Sequence, residues 1–256
     1  TGGFADGTGA SAKFSSPNGV AAGPDGTIYV ADSGNHRIRA VTPGGVVTTL
    51  AGSTQGSADS TGAGAMFSTP YGVAVGPDGT IYVADAYNHR IRAVTPGGVV
   101  TTLAGSTAGF ADGTGASAKF SYPSGVAVGP DSTIYVADSG NHRIRAVTPG
   151  GVVTTLAGST PGLADGTGAS AKFNSPSGVA VGPDGTVYVA DNGNHRIRAV
   201  TPGGVVTTLA GSTGGSADGT GTSAQFASPW GVAVGPDGTV YVADTSNQRI
   251  RVIVGS

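Results

Sequence analysis

The 256-residue chain contains no cysteine and only one methionine and one tryptophan. Without cysteine it can hold neither a disulfide nor a thiolate-bound metal, and either redox compartment is open to it. Every acidic residue is an aspartate. Glutamate is a staple of exposed helices, so its absence predicts very little helix. Charged residues make up only 11%, and 13 basic against 15 acidic side chains give a formal charge of −2. No global field draws in a polyanion, so a nucleic-acid partner is disfavoured. No apolar run approaches the roughly 20 residues that span a bilayer, and the N-terminus has no basic-then-apolar leader pattern. A soluble chain with no membrane partner is expected, its compartment unspecified, with an extracellular or cell-surface setting slightly favoured for a natural protein.

What the chain has in abundance is turn chemistry, with 47 glycines and 15 prolines beside 38% hydrophobic residues. The segment Gly19 to Val41 recurs from Gly72, Gly125, Gly178 and Gly231, a spacing of 53 residues each time. A fixed period near 50 is the signature of a repeat architecture. In the second copy, Gly72 to Val75, Thr80 to Asp85, His89 to Val94 and Val99 to Ala104 read as strands. They are separated by Gly76-Pro77-Asp78-Gly79, a loop at Ala86 to Asn88, and Thr95-Pro96-Gly97-Gly98. Proline and glycine at these offsets pre-set turn dihedrals, so each unit reads as an up-down meander of four strands. Ile81 and Val83 face one way while Tyr82 and Ala84 face the other, so both faces of the sheet are apolar and need cover. Radial stacking supplies that cover. The expected fold is an all-β, five-bladed β-propeller, one domain over residues 1–256 closing into a ring, with blades at about 17–53, 70–106, 123–159, 176–212 and 229–256.

Pro70-Tyr71-Gly72-Val73-Ala74-Val75, then Ile81-Tyr82-Val83-Ala84-Asp85, then Asn88-His89-Arg90-Ile91 resemble NHL repeats. The resemblance covers all five copies and implies a propeller, in that family usually six-bladed. It leaves function open, because the family includes RNA binders, protein binders and a lyase. Two features depart from the usual blade. An insertion of about twenty residues follows each fourth strand; it reads as a Gly-rich loop pinned by Phe14, Phe67, Phe120, Phe173 and Phe226. The phase of the repeats also gives the last blade no outermost strand. Its third strand ends Arg251-Val252-Ile253-Val254-Gly255-Ser256 where the other copies read Arg-Ala-Val-Thr-Pro-Gly. An unpaired edge of this kind is a template for another chain, and a homodimer through residues 249–254 is expected.

Asp32, Asp85, Asp138, Asp191 and Asp244 each precede Arg37, Arg90, Arg143, Arg196 and Arg249 by five residues. The expected role is a repeated Asp–Arg brace around the loop; catalysis needs one site with distinct roles, which five equivalent copies do not supply. His36, His89, His142 and His195 share one repeat position, with Gln248 in the fifth copy. Equivalent positions on separate blades lie too far apart for ligands at about 2.0–2.1 Å, so no metal is expected. The Asp-Gly-Thr-Gly loops at Asp6, Asp112, Asp165 and Asp218 offer one carboxylate each where calcium takes six to eight oxygens. No phosphate loop or nucleophile motif is present, and no cofactor is implied.

Differences between the copies concentrate before the first strand, in the loop from second to third strand, and in the insertion. In an up-down meander these share one face, and the constant turns share the other. The position ahead of the first-strand glycine reads Asn18, Tyr71, Ser124, Ser177 and Trp230, with Tyr87, Tyr122, Phe4, Phe110 and Leu163 in nearby variable loops. Asn18, Tyr71, Tyr87, Tyr122, Ser124, Ser177 and Trp230 are the expected ligand-binding set. Amphipathic aromatics beside small polar groups suit a protein, peptide or glycan. The set holds no acid, base or nucleophile with the environment catalysis requires. A non-enzymatic binding scaffold is therefore the reading, against two others: a near-symmetric amplified or designed propeller without a specific ligand, and a propeller-type lyase or hydrolase.

Overall fold

The computed structural model of the chain describes residues 2–254. The chain is an all-β five-bladed propeller made of five antiparallel sheets, and the only helical segments among the described residues are short 3-10 turns. By compactness it divides into two units, residues 1–126 with 149–152 and residues 127–148 with 153–256.

Blade 2, in the first unit, shows how the repeat folds. Its strands are Pro70–Val75, Ile81–Asp85, Arg90–Val94 and Val99–Gly105, each paired with the next in sequence order. The first hairpin closes where Gly76 N–H donates to the Thr80 carbonyl at 2.8 Å and the Asp78 carboxylate accepts from Thr80 N–H at 3.0 Å. The third hairpin closes through Gly98 N–H to the Thr95 carbonyl, with Gly98 at φ 79°. All five residues of Ile81–Asp85 are buried, as a strand with two apolar faces must be. Packed against blade 1, Ile81, Val83 and Phe67 form a common core with Ala31 and Ile38.

The insertion does more than loop out. In the first four blades it contributes a two-residue strand that pairs with the outer edge of the following fourth strand, making five-stranded sheets; Ser60–Thr61 beside Val99 and Val100 is one. Phe67, Phe120, Phe173 and Phe226 are buried as anchors, while Phe14 is half-buried. Among the described residues blade 5 has three strands, Pro229–Val234, Val240–Asp244 and Arg249–Ile253, in agreement with the phase of the repeats.

Consecutive blades approach closely at the first strand. A Cβ on Gly72 would stand 2.5 Å from the Ser124 carbonyl oxygen, and one on Gly178 would stand 2.5 Å from that of Trp230. Only glycine allows backbones to pass at that distance.

One turn departs from the rest. Ser132 has φ 66° where Gly26, Gly79, Gly185 and Gly238 have φ 80–82°. The left-handed conformation costs a residue with a Cβ roughly 1–2 kcal/mol, and the greater freedom of glycine in the unfolded chain returns about 0.5–1 kcal/mol of that. Ser132→Gly is therefore expected to gain about 0.5–1 kcal/mol, read as a rise of a few degrees in thermal midpoint. An unchanged midpoint would show that the hairpin tolerates serine at no cost.

Candidate binding site

Each blade carries a buried ionic brace, but the partner differs from the one the spacing suggests. Asp85 pairs with Arg92 at 2.7 Å, Asp32 with Arg39 at 2.8 Å, Asp138 with Arg145 at 2.7 Å, Asp191 with Arg198 at 2.8 Å and Asp244 with Arg251 at 3.0 Å. Arg37, Arg90, Arg143, Arg196 and Arg249 lie directly across the backbone ladder from these aspartates, and Arg37, Arg90, Arg196 and Arg249 do not form the ion pair. The reason is local: at Asp85 the chain leaves the extended region (φ −83°, ψ 76°). Its carboxylate thus turns under the loop, accepting also from Ser68 N–H at 2.7 Å and Asn88 Nδ2 at 2.8 Å. Arg37 instead reaches the Asn35 carbonyl and lies 4.0 Å from the face of Phe4, which places Phe4 in the scaffold. Burial pushes the Asp85 and Asp191 carboxyls up, opposed at Asp85 by these hydrogen bonds and Arg92, and at Asp191 by hydrogen bonds from Asn174 N–H and Asn194 and by Arg198.

The histidines bind neighbouring blades together. His36 Nδ1 accepts from Thr69 N–H, His89 from Tyr122 N–H, His142 from Ser175 N–H and His195 from Ser228 N–H, at 3.0–3.2 Å. Donors and acceptors alike sit on residues of positive φ. Burial lowers the pKa of His89 and His142; for His142 the Arg143 charge adds to this and Asp191 opposes it. The unfolded chain takes up protons near pH 6.5, before these folded imidazoles do, so their stabilisation is complete above that pH and is lost as pH falls below it. Protonation also removes the Nδ1 acceptor. Urea midpoints should fall between pH 7.5 and 5.5, and His89→Gln with His142→Gln, which copies Gln248, should flatten the fall. Equal slopes in parent and variant would rule these histidines out as its source. Among the described residues no group of three or more His, Cys, Asp or Glu side chains could hold a metal ion.

Three of the residues that distinguish one copy from the others meet in the first unit. Tyr71 lies on the first strand of blade 2, Tyr87 in the 3-10 turn Ala86–Asn88, and Tyr122 just ahead of strand Pro123–Val128. The Tyr71 and Tyr87 rings meet edge to face at 6.5 Å, Tyr87 and Tyr122 at 5.4 Å, and His89 with Tyr122 at 4.7 Å. Tyr87 is 51% exposed and Tyr122 47%, whereas Tyr71 is half-buried. Burial, with the adjacent Tyr87, holds the Tyr71 phenol above its ordinary range. The repeat position of Tyr87 is occupied elsewhere by Gly34, Gly140, Gly193 and Ser246, and that of Tyr122 by Ser16, Thr69, Ser175 and Ser228. Large amphipathic rings thus replace small residues at separate points of the repeat and converge in space.

The other residues of the expected set have the following places. Asn18 is exposed, its amide donating to Ser33 Oγ at 2.9 Å. Ser124 and Ser177 are buried, and the Ser177 hydroxyl donates to the Trp230 carbonyl of the next blade at 2.8 Å. Trp230, in the second unit, is exposed. Phe110 and Leu163 are exposed on the insertions. His89, which completes the cluster, was missing from the set because its repeat position is nearly constant; only the structure shows that its ring seats Tyr122.

The NHL repeat model matches residues 14–41, 67–94, 120–147, 173–200 and 226–253, each match running from the insertion phenylalanine to the end of the third strand. The chain belongs to the NHL repeat family. This NHL chain is 34% identical over 281 aligned residues to Protein SUPPRESSOR OF QUENCHING 1, chloroplastic, from Arabidopsis thaliana, covering 98% of the chain and 26% of that protein. It is 33% identical to NHL repeat-containing protein 2 from Bos taurus, covering 97% of the chain and 40% of the relative. The chain therefore spans well under half the length of these curated relatives. Among solved structures, a virginiamycin B lyase from Staphylococcus aureus with quinupristin superposes with a TM-score of 0.64 at 20% identity, over 94% of this chain and 70% of that one. At that identity the likeness shows the fold alone. No described helix is long and apolar enough to cross a membrane.

Proposed function

We propose that this NHL propeller is a non-enzymatic binding module and that Tyr71, Tyr87 and Tyr122 form its contact patch for a protein, peptide or glycan. The observation that carries this is the convergence of the three tyrosines, each from a different repeat position, within edge-to-face distance. Rings in this arrangement hold one another rigid while Tyr87 and Tyr122 stay about half exposed to a ligand, so little side-chain entropy is lost on binding. The acid–base groups of the blades are committed elsewhere: the strand-end aspartates to arginines, the histidine Nδ1 atoms to backbone N–H groups. That commitment favours binding over the lyase or hydrolase reading.

A glycan and peptide array probed with the parent and with Tyr87→Ala/Tyr122→Ala tests the proposal. Aromatic anchors of this kind contribute about 2 kcal/mol, so the double variant is expected to bind the selected ligand roughly thirtyfold more weakly. A parent that captures nothing, or a variant that binds as well as the parent, would favour an amplified scaffold without a specific ligand.

A further inference from the structure

We infer that Tyr87 and Tyr122 form an oxidative cross-linking site, at which hydrogen peroxide acting through a haem peroxidase joins the two phenols by a carbon–carbon bond. Coupling needs two accessible phenols held in contact, and this pair meets both conditions. Tyr87 is 51% exposed and Tyr122 47%, and their rings stand 5.4 Å apart at an interplanar angle of 81°. That is the spacing of aromatic rings in direct contact. Tyr29, Tyr82 and Tyr135, on the second strands of blades 1 to 3, are buried away from an oxidant.

The backbone keeps the pair in place. Tyr122 N–H donates to His89 Nδ1 at 3.2 Å, and the Tyr122 ring lies 4.7 Å from the imidazole, edge to face. Tyr87 N–H donates to the Ser68 carbonyl at 3.2 Å. Both main chains are thus anchored, while the half-exposed rings have room to turn about their own torsions. Tyr71 is half-buried and 6.5 Å from Tyr87, which makes it the poorer partner. Elsewhere in the repeat the same two positions hold Gly34 with Thr69, Gly140 with Ser175 and Gly193 with Ser228, so the pair belongs to this place alone.

Each phenol gives up one electron and its O–H proton and becomes a phenoxyl radical, with spin on the ring carbons next to the C–O carbon. One such carbon from each ring forms the new bond. The hydrogens on those two carbons then move to the oxygens, which restores both phenols and their aromaticity. In sum, two C–H bonds are lost and one C–C bond is gained, and two electrons and two protons reduce hydrogen peroxide to two waters. Fixed proximity makes the step intramolecular, so it outruns coupling between separate chains in dilute solution. The bond ties the turn Ala86–Asn88 to the segment just ahead of strand Pro123–Val128 and removes loop entropy from the unfolded chain. Cross-linking needs no ligand, so its outcome is independent of the binding proposal.

The test treats the full chain in dilute solution with hydrogen peroxide and a haem peroxidase, and follows intact mass, biphenol fluorescence and the sequence of the joined peptides. A monomer lighter by two hydrogens is expected, with residues 87 and 122 joined and a yield that does not change with protein concentration. Its thermal midpoint should rise by several degrees. Tyr87→Phe and Tyr122→Phe keep the rings and remove the phenols, so each should abolish this product, while Tyr71→Phe leaves its yield unchanged. Four results would each overturn the inference: no coupling, coupling seen only as covalent dimers of the chain, a bond that involves Tyr71 or any other tyrosine, or full yield from Tyr122→Phe.

Discussion

Asp85→Ala is expected to destabilise the protein by about 3–5 kcal/mol, the cost of leaving a buried charge without its partner. Arg92 is fully buried, and its guanidinium is held between Asp85, Asp59 and the carbonyls of Met66 and Ala58. Removing Asp85 takes away the only one of these two carboxylates that is itself buried, and with it the acceptor for Ser68 N–H and Asn88. Denaturant unfolding reads the effect, and two comparisons identify its source. Asp59→Ala should cost much less, because that carboxylate is half exposed and water can replace it. Asp244→Ala should also cost less, since Arg251 in blade 5 is partly exposed. A loss below about 1 kcal/mol for Asp85→Ala would mean that Arg92 finds water or another acceptor, contrary to its burial.

Gly72→Ala is the second large effect, expected at about 3 kcal/mol, the upper range for overpacking. The new Cβ would stand 2.5 Å from the Ser124 carbonyl oxygen, 2.9 Å from Val126 N and 3.1 Å from Gly125 Cα. All three are backbone atoms of the next blade, so no side-chain rotation relieves the contact. Gly231→Ala supplies the control. It makes the same chemical change at the same repeat position, yet its Cβ would meet nothing nearer than Ala243 Cβ at 3.6 Å. A change within about 0.5 kcal/mol is expected there. Equal thermal shifts for the two variants would show that backbone entropy, and not blade-to-blade distance, dominates.

The local grammar of the repeat was legible before the structure because its causes are local. Gly76-Pro77-Asp78-Gly79 closes a hairpin through its own dihedrals and the Asp78 side chain, and the alternation in Ile81–Asp85 shows two faces needing cover. The five copies and the three-stranded last blade follow from the same pattern read at a period of 53 residues. The insertion was read only as a loop because its strand is two residues long, too short for periodicity to show, and it pairs with a strand some forty residues away.

Sequence alone thus determined the main strands of each blade, the turns and the five repeats, since each rests on interactions between residues close in the chain. The tertiary structure decided the rest. It chose Arg92 over Arg90 as the partner of Asp85, because the turn of the backbone at Asp85 carries the carboxylate beneath the loop. It gave His89 to the Tyr122 amide of the following blade. It gathered Tyr71, Tyr87 and Tyr122, while Ser124 and Ser177 went below the surface as neighbouring blades closed over them. These choices depend on distances between blades, which are set by close backbone packing at glycines such as Gly72 and have no signature in the spacing of residues along one strand.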